Sequence, residues 1–407
     1  AMLIAIIVHI RPLYTKMQTA IDLLNRTVGE NLTAIRVVKA YVRGDYELEK
    51  FEEVNDNLKN QSEKAFKSAV LNMPAMQLVM YSTILGILLL GGHLVKQGEL
   101  GIGQLTSFLS YVLIILNSLM MMSNVFLMMT RSLASGARIM EVLDEKIDIT
   151  DELARDISVE RGEIEFDHVS FAYPEAGENV LTDISFKAKK GQTIAVIGST
   201  GSGKSTLINL IPRYYDVTKG SVKVDGVDVR DMTQKELRDK LGYVPQKGVL
   251  FSGTIDSNIR YGKPEITDAQ VKEAAEVAQA TEFIDTKPEK YESPVSQGGT
   301  NVSGGQKQRL SIARAIAKDP EIFIFDDSFS ALDFKTDSQL RKALKEYTKD
   351  ATTVIVAQRI STILGADQII VLDDGHMAGI GTHKELMANC EVYQQIARSQ
   401  LSEEELA

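Results

Sequence analysis

Two adjacent carboxylates, Asp326 and Asp327, follow four apolar residues at positions 322–325. A short apolar run of this kind predicts a buried β-strand. Ionised carboxylates at the end of a buried strand are unfavourable unless a cation lies nearby or the two groups share a proton. The pair therefore predicts either a nearby cation or a shared proton, and it raises the question of what each aspartate does.

A glycine-rich loop elsewhere in the chain offers the anionic partner for such a cation. Residues 193–206 read TIAVIGSTGSGKST, an apolar strand followed by the pattern G-x-x-x-x-G-K-S and then a helical segment. Glycines in this pattern let backbone N–H groups turn inward around phosphate oxygens, so the sequence predicts a nucleotide-binding loop. Its candidate ATP-binding residues are Gly198, Gly201, Gly203, Lys204, Ser205 and Thr206.

The chemistry of this loop predicts roles for three side chains. Lys204 would reach the β- and γ-phosphates of ATP, and Ser205 would ligate Mg²⁺. Asp326 would hold the same Mg²⁺ through water, because the metal beside the phosphates needs a carboxylate. The alternative role for Asp326 is an N-cap of the loop that follows it. ATP and Mg²⁺ are thus the expected cofactors.

A second glycine turn lies between these two elements. Residues 301–317, NVSGGQKQRLSIARAIA, place Ser-Gly-Gly at the start of an amphipathic helix. Such a turn in isolation is more often only a turn. Its position between a phosphate loop and a metal-binding strand favours a second anion-binding arrangement.

Membrane-spanning helices are predicted from two long uncharged runs. No Asp, Glu, Lys or Arg occurs at positions 68–95 or 100–130, and each run exceeds the roughly 20 residues that a helix needs to cross a bilayer. Two core helices of a soluble protein are the weaker alternative. Residues 96–101 would form a tight hairpin, and the apolar residues 1–10 are interpreted as the end of a further membrane helix whose upstream sequence is missing.

The charged segment at positions 13–66 predicts two long helices that project beyond the membrane, with a break at Gly44-Asp45 and Asp45 as N-cap of the second helix. Basic residues near the membrane ends lie mostly on this side, so the positive-inside tendency makes it cytoplasmic. They are Arg11, Lys16, Lys64, Lys67, Arg131 and Arg138, against Lys96 at the opposite hairpin.

Composition excludes other classes of protein. The chain of 407 residues has a net charge of −10, which argues against a nucleic-acid partner. Its one cysteine, Cys390, cannot form an internal disulfide and fits a reducing compartment. From about residue 163, short β-rich runs alternate with helical segments, as is typical of an α/β domain.

Taken together, these motifs resemble those of a half-transporter of the ATP-binding cassette (ABC) exporter family, of the type I multidrug or lipid class. The resemblance covers essentially the full chain and includes FAYP, YVPQKGVLFSGTI, SGGQ and SALD. It implies that Tyr173 stacks on adenine, that Gln246 contacts Mg²⁺ and senses the membrane domain, and that Asp333 ends a dimer-contact loop. The implied signature residues, which bind ATP held by the opposite subunit, are Ser303, Gly304, Gly305 and Gln306.

The resemblance also implies the domain organisation. Residues 1–146 would be a partial helical transmembrane domain, namely the end of the fourth membrane helix, the second cytoplasmic loop with its short coupling helix, and helices five and six. Residues 147–162 would be a linker. Residues 163–407 would be an α/β P-loop nucleotide-binding domain with a helical subdomain. The protein would be integral to a bacterial plasma membrane, with the nucleotide-binding domain in the cytoplasm.

Three departures from the family pattern sharpen the prediction. Asp327 stands where the family usually has glutamate, and Gln358 replaces the usual histidine; Gln297 replaces a glutamate found in many exporters, with a consequence that the sequence does not define. Asp is shorter than Glu by one methylene, about 1.3–1.5 Å, and a displacement of about 1 Å can slow a reaction by roughly a hundredfold. Gln carries no proton charge near neutral pH.

We therefore expect a subunit that binds ATP well, hydrolyses it slowly at its own phosphate loop, and pairs with a different half-transporter. The alternatives are tolerated variation in a fully active homodimer, a regulatory ATP-binding membrane subunit that gates a partner, and a soluble ABC ATPase. The exported molecule could be a small molecule, a lipid or a peptide. The methionine-rich segment at positions 117–129 suits an adaptable apolar pocket, although plain helix or lipid packing is the more ordinary interpretation.

Overall fold

The computed structural model describes residues 2–70, 72–152, 154–155, 157, 160–174 and 176–401. The chain divides into two compact units, Ala1–Glu145 and Lys146–Ala407. The first unit is helical and the second is an α/β domain, so the predicted fold class is confirmed.

The described residues of the first unit form five helices. They are α1 (Met2–Thr33), α2 (Ile35–Ala40), α3 (Gly44–Val70), α4 (Asn72–Lys96) and α5 (Ile102–Leu143). Helices α1 and α3 form an antiparallel pair, as contacts at both ends show. At one end the rings of Tyr14 and Phe66 lie 6.5 Å apart. At the other end the Asn31 amide donates to the Glu47 carboxylate over 2.9 Å. The short helix α2 lies at the turn between them.

Two details of this segment differ from the prediction. Helix α3 begins at Gly44, so Asp45 lies inside its first turn and is not the N-cap; there its negative charge complements the positive end of the helix dipole. The break before α3 is also longer than predicted, since residues 41–43 separate it from α2. Helix α1 continues through Pro12, although the apolar run stops there.

The uncharged runs both fold as helices. Within the described residues, Gln77–Lys96 is the one helix long and apolar enough to cross a membrane by length and composition, and Ile102–Ser118 is apolar but shorter. Most side chains of the methionine-rich segment lie outside the described residues; of its methionines, the exposed Met121, Met128 and Met129 are described.

The second unit is built on two main sheets and a small one. Its strands are β1 (Ile164–Phe171), β2 (Leu181–Ala188), β3 (Thr193–Gly198), β4 (Lys219–Val224), β5 (Val227–Asp228), β6 (Leu241–Val244), β7 (Gly253–Thr254), β8 (Pro294–Val295), β9 (Ile322–Asp326), β10 (Thr352–Val356), β11 (Gln368–Asp373) and β12 (His376–Gly381). Its helices are α6 (Lys204–Asn209), α7 (Gln234–Asp239), α8 (Ile255–Ile259), α9 (Asp268–Val277), α10 (Thr281–Asp285), α11 (Gly304–Ala317), α12 (Phe334–Tyr347), α13 (Ile360–Ile363), α14 (His383–Asn389) and α15 (Glu391–Gln400).

The six-stranded sheet has the order β12-β11-β3-β10-β9-β6 and is parallel except at β12. In its register Val356 lies opposite both Val196 and Asp326. The carboxyl ends of β3, β9 and β10 therefore meet at one edge, which is where α/β sheets bind ligands. An antiparallel sheet of order β2-β1-β4-β5 packs on one face, and α8–α11 form the predicted helical subdomain.

Two separate groups of helices cover the other face of the six-stranded sheet. Phe323 and Phe325 of β9 pack with α8–α12 in one apolar cluster. Ile197 of β3 and Val371 of β11 pack with α13–α15 in another. Ile355 of β10 lies between the two clusters and is half-buried against both. The cover is therefore thinnest over the central strand β10.

Residues 147–162, predicted to be a linker, belong to the second unit, and their described part is bonded to the rest of it. Arg155 forms a β-bridge with Met232. Further along, the Asp225 carboxylate accepts hydrogen bonds from the backbone N–H groups of Glu160, Arg161 and Glu163 at 2.8, 2.9 and 2.7 Å. Hydrogen bonds to backbone groups thus hold this part of the linker in place.

Candidate functional site

The Lys204 side chain lies against the glycine-rich loop that follows β3. The Lys204 ammonium donates to the backbone carbonyls of Gly198 at 2.9 Å and Ser199 at 2.6 Å. Gly203 has a φ of +94°, and a Cβ at this position would lie 2.7 Å from Leu181 Cδ2, so the turn into α6 requires glycine. Burial lowers the pKa of Lys204, an effect that the carboxylates of the two aspartates oppose.

The first aspartate, Asp326, is 7% exposed at the end of β9. Its Oδ1 accepts a hydrogen bond from Ser205 Oγ at 3.1 Å, which joins the strand to the glycine-rich loop. Burial raises the pKa of Asp326, although the Ser205 hydroxyl and the Lys204 charge favour the ionised form. A hydroxyl and a carboxylate oxygen side by side are the kind of oxygen donors that Mg²⁺ prefers.

The second aspartate, Asp327, points its carboxylate at two amides. Its Oδ2 accepts from Gln358 Nε2 at 2.8 Å and from Gln246 Nε2 at 3.3 Å. The residue is 8% exposed and has a φ of +45°, a conformation that Asp adopts more readily than most residues. The two aspartates thus face different partners, a hydroxyl for Asp326 and two amides for Asp327.

The backbone around Asp327 is fixed by further hydrogen bonds. Its N–H donates to the Val356 carbonyl at 3.0 Å, and its own carbonyl accepts from Ser330 Oγ at 3.0 Å. Ser328, which is fully buried, donates its hydroxyl to the Val244 carbonyl at 3.0 Å. The position of the Asp327 carboxyl is therefore set by β6, β9 and β10 together.

The Ser-Gly-Gly turn begins helix α11, as predicted. Ser303 is the N-cap, and Ser303 and Gln306 bond each other's backbone N–H in a capping box. A Cβ at Gly305 would lie 3.3 Å from the Ala331 carbonyl oxygen, so the turn packs closely on the loop after β9. No hydrogen bond joins residues 303–306 to the phosphate loop at 198–206, all of which are described.

Gln308 is a residue of this region that sequence reasoning missed. It is 1% exposed, its Nε2 donates to the Pro245 carbonyl at 3.1 Å, and its Oε1 accepts from the Gly248 N–H at 3.0 Å. The amide thus spans the loop that carries Gln246 and attaches it to α11. The sequence signal that could have identified Gln308 is a polar amide on the apolar face of a predicted amphipathic helix.

The remaining predicted site residues lie around this centre. Tyr173 places its hydroxyl 3.0 Å from Thr206 Oγ1, and its ring meets that of Tyr215 edge to face at 5.1 Å. Asp333 is the N-cap of α12 and accepts from the Thr336 N–H at 3.0 Å, which together with the Thr336 side chain lowers the pKa of Asp333. Gln297 starts a short 3-10 turn, Gln297–Gly299.

Comparison with protein families agrees with this geometry. The ABC transporter family matches residues 181–330, and the ABC transporter transmembrane region matches residues 2–119. Among curated proteins, an uncharacterized ABC transporter ATP-binding protein of Mycobacterium tuberculosis is 41% identical over 400 residues, which are 97% of this chain and 68% of that protein. A Staphylococcus aureus protein provisionally named a multidrug export ATP-binding/permease protein is 38% identical over 95% of this chain and 67% of its own length.

A solved structure extends the likeness to the fold. The structure of a bacterial Atm1-family ABC exporter with ATP bound superposes with a TM-score of 0.85 at 31% identity, covering 98% of this chain and 70% of that one. The chain thus spans about two thirds of the length of these relatives. With the family matches and the phosphate-loop geometry, this identifies the chain as a member of the ABC transporter family, an ATP-binding and permease half-transporter subunit of the exporter type.

Proposed function

We propose that this chain is the slow-site subunit of a heterodimeric ABC exporter. Its own phosphate loop binds ATP and hydrolyses it weakly, and its signature turn completes a hydrolytic site on a different half-transporter. The observation that carries the proposal is the hydrogen bonding of Asp327 Oδ2 to the amides of Gln358 and Gln246 at 2.8 and 3.3 Å.

ATP binding rests on residues that match the family pattern. The backbone of the glycine-rich loop and Lys204 bind the phosphates, Thr206 supports the loop, and Tyr173 stacks on adenine. No group of three or more His, Cys, Asp or Glu side chains that could hold a metal occurs in the described parts of the chain. Mg²⁺ would therefore take its ligands from Ser205, Asp326, the Gln246 carbonyl and the ATP phosphates, as is usual for this ion.

Weak hydrolysis follows from the chemistry of the second aspartate. The attacking water needs an acceptor that reaches it, and Asp327 is one methylene shorter than glutamate. The two amide N–H groups direct its Oδ2 toward Gln246 and Gln358 and use its lone pairs. Gln358 also carries no charge to stabilise the γ-phosphate in the transition state. Each factor lowers the rate without removing a phosphate contact.

The partner in this proposal is a second, different half-transporter. In the family, each ATP lies between the phosphate loop of one subunit and the signature turn of the other. Ser303, Gly304, Gly305 and Gln306 retain the signature sequence here and have a formed capping box, which supports a competent contribution to the partner's site. Gln246 lies on the loop that senses the membrane domain, and Gln308 of α11 holds that loop. Together with the Asp333 loop they would link the two sites.

Membrane placement and cargo complete the proposal. The nucleotide-binding domain at 163–407 would be cytoplasmic, joined by residues 147–162 to a partial transmembrane domain at 1–146 in a bacterial plasma membrane. The S. aureus relative carries a multidrug export name, which supports an apolar small molecule as cargo. A lipid and a peptide are the other two candidate cargoes.

The test is the ATPase rate of the full chain in lipid nanodiscs, alone and assembled with a half-transporter that has Glu and His at the two positions. We expect the chain alone to bind ATP with ordinary affinity and to turn over at least tenfold more slowly than the mixed complex. Fast turnover by the chain alone would contradict the slow-site assignment and support the homodimeric exporter.

A regulatory subunit that gates a partner is a second candidate, and the same amide contacts favour it because they suit retention of uncleaved ATP. Transport by the mixed complex separates the two functions. Cargo export that persists after Lys204→Ala in this chain supports an exporter subunit with a dispensable site. Export that stops, together with loss of nucleotide-domain closure, supports the gate.

A further inference from the structure

A cleft of about 340 Å³ opens in the nucleotide-binding unit, on the face of the six-stranded sheet opposite the antiparallel sheet β2-β1-β4-β5. It lies over β10, between the helix group that ends with α12 and the group that begins with α13. Thr353 and Ile355 of β10 form its floor, with Thr193 of β3 beside Thr353 in the sheet register. Phe325 and Phe329 form one wall.

Positive charge lines the α12 side of this cleft. Arg341, Lys342 and Lys345 of α12 all line it, and none of the described lining residues is Asp or Glu, although the chain as a whole has a net charge of −10. Arg341 is already engaged, since it pairs with Asp337 at 2.9 Å and donates to the Ser361 carbonyl at 2.7 Å. Across the described chain, neither Lys342 nor Lys345 has an ion-pair partner within 4.0 Å.

Two described residues that line this cleft have a buried polar atom without a hydrogen-bond partner, Arg341 at Nε and Thr353 at Oγ1. Thr353 is 4% exposed, and its Oγ1 makes no hydrogen bond. A buried hydroxyl without a partner is unfavourable, and such groups are usually satisfied by a ligand, an ion or water. By contrast, the Thr348 hydroxyl, also at the cleft, donates to the Leu344 carbonyl at 2.9 Å. Thr353 therefore offers a hydrogen bond at the floor of a cleft whose α12 side carries the three cations.

We propose that this cleft binds a small aromatic or alicyclic acid. Its volume is at the lower end of the range of about 300–1,000 Å³ that holds small ligands, and such sites combine an apolar lining with a few polar groups. The apolar body would lie on Ile355 and Phe329, and the carboxylate would face Lys342 and Lys345. A hydroxyl or carbonyl of the body would reach Thr353.

The position of the cleft makes it a regulatory site. Phe325 and Phe329 stand on either side of Asp326 and Asp327 in sequence, and Ser361, which also lines the cleft, follows Gln358 by three residues. A ligand wedged between α12 and α13 therefore touches both segments that set the Asp327–Gln358 hydrogen bond. Occupancy is expected to change the rate of ATP turnover and to leave the phosphate contacts in place.

The experiment titrates the full chain in nanodiscs with 4-(trifluoromethyl)benzoate and follows the ¹⁹F signal, with empty nanodiscs as baseline. We expect saturable binding, and no saturable binding of the uncharged 4-(trifluoromethyl)benzamide. Lys342→Gln with Lys345→Gln should weaken binding by about fivefold to tenfold. Lys335→Gln with Lys349→Gln, which removes the same charge from outside the cleft, should leave binding unchanged.

A second variant blocks the cleft by volume. Gly365→Trp adds a large side chain at the lining, where a Cβ meets no atom within 4 Å, so the fold should tolerate it. We expect it to abolish saturable binding. Equal binding of acid and amide, or an affinity that neither variant alters, would overturn the ligand site. Saturable binding that leaves the ATP turnover of the chain alone unchanged would overturn its regulatory role.

Discussion

The two halves of the ATP site are built differently, although they lie at one edge of one sheet. In the phosphate half, Lys204 and Ser205 bond to neighbouring groups of the loop and to Asp326, over 2.6–3.1 Å. In the water-positioning half, Asp327 depends on amides from two other segments, those of Gln246 and Gln358. From this comparison we expect that the affinity for ATP and the rate of its hydrolysis can be changed independently.

The largest expected effect comes from removing the lysine of the phosphate half. Lys204→Ala should weaken ATP binding by about a hundredfold or more, because a charge-assisted contact to the phosphates is lost from a partly desolvated site. Equilibrium binding of a fluorescent ATP analogue by the full chain measures this. Lys190→Ala, an exposed lysine just before β3, is the matched control and should bind normally.

Repairing the water-positioning half should have the next largest effect. Asp327→Glu combined with Gln358→His should raise ATP turnover of the chain by about tenfold to a hundredfold, since it restores reach and a chargeable imidazole. ATP affinity should stay within about twofold. Steady-state phosphate release measures the gain, and unchanged turnover would mean that these two residues do not limit the rate.

Loss of the Gln308 contacts that attach the Gln246 loop to α11 should give a smaller effect. Gln308→Leu leaves the Pro245 carbonyl and the Gly248 N–H without their partner, which should reduce the free energy of unfolding by about 2 kcal/mol. Thermal unfolding of the second unit, followed in the full chain, measures the loss. Gln395→Leu, at an exposed position, is the control and should change stability little. If both variants reduced the free energy of unfolding equally, the Gln308 amide would have no specific role.

The smallest expected effect is a gain in stability without nucleotide. Burial raises the pKa of Asp326 in the folded chain above its value of 3.8 in the unfolded chain. At a pH above the folded-state pKa, the buried ionised carboxylate therefore lowers the free energy of unfolding. This loss of stability disappears below pH 3.8, where the carboxyl is protonated in both states. Asp326→Asn should therefore raise the Tm by about 2 °C at pH 8, and the gain should shrink on acidification. The same variant should lose stabilisation by Mg²⁺-ATP, and a lower Tm at pH 8 would contradict the sign.

The sequence predicted the phosphate half well, because a strand, a glycine loop and a helix follow one another and need no distant contact. Asp326 and Ser205 were paired from motif chemistry alone. The amide contacts of Asp327 were not predictable, since they depend on the register of β9 with β10 and on the path of the loop after β6. Asp45 was assigned wrongly because Gly44, a poor helix former, is already helical.

Gln308 and the cleft show a second limit of sequence reasoning. The contacts of Gln308 and the shape of the cleft both depend on how helices pack on the six-stranded sheet. This packing decides which side chains of the sheet are covered and which are left accessible. Residues such as Thr353 look like ordinary strand residues in the sequence. The Thr353 hydroxyl is available to a ligand only because a gap separates α12 from α13.

The divided cover of the six-stranded sheet has a consequence for how the domain opens. The clusters under α8–α12 and α13–α15 share Ile355 and otherwise communicate through the strands. Cooperative units of local unfolding follow such divisions. In hydrogen exchange, the amides of α14 and α15 should therefore open as a group while those of α11 remain protected, so the C-terminal helices can loosen without disturbing the signature helix.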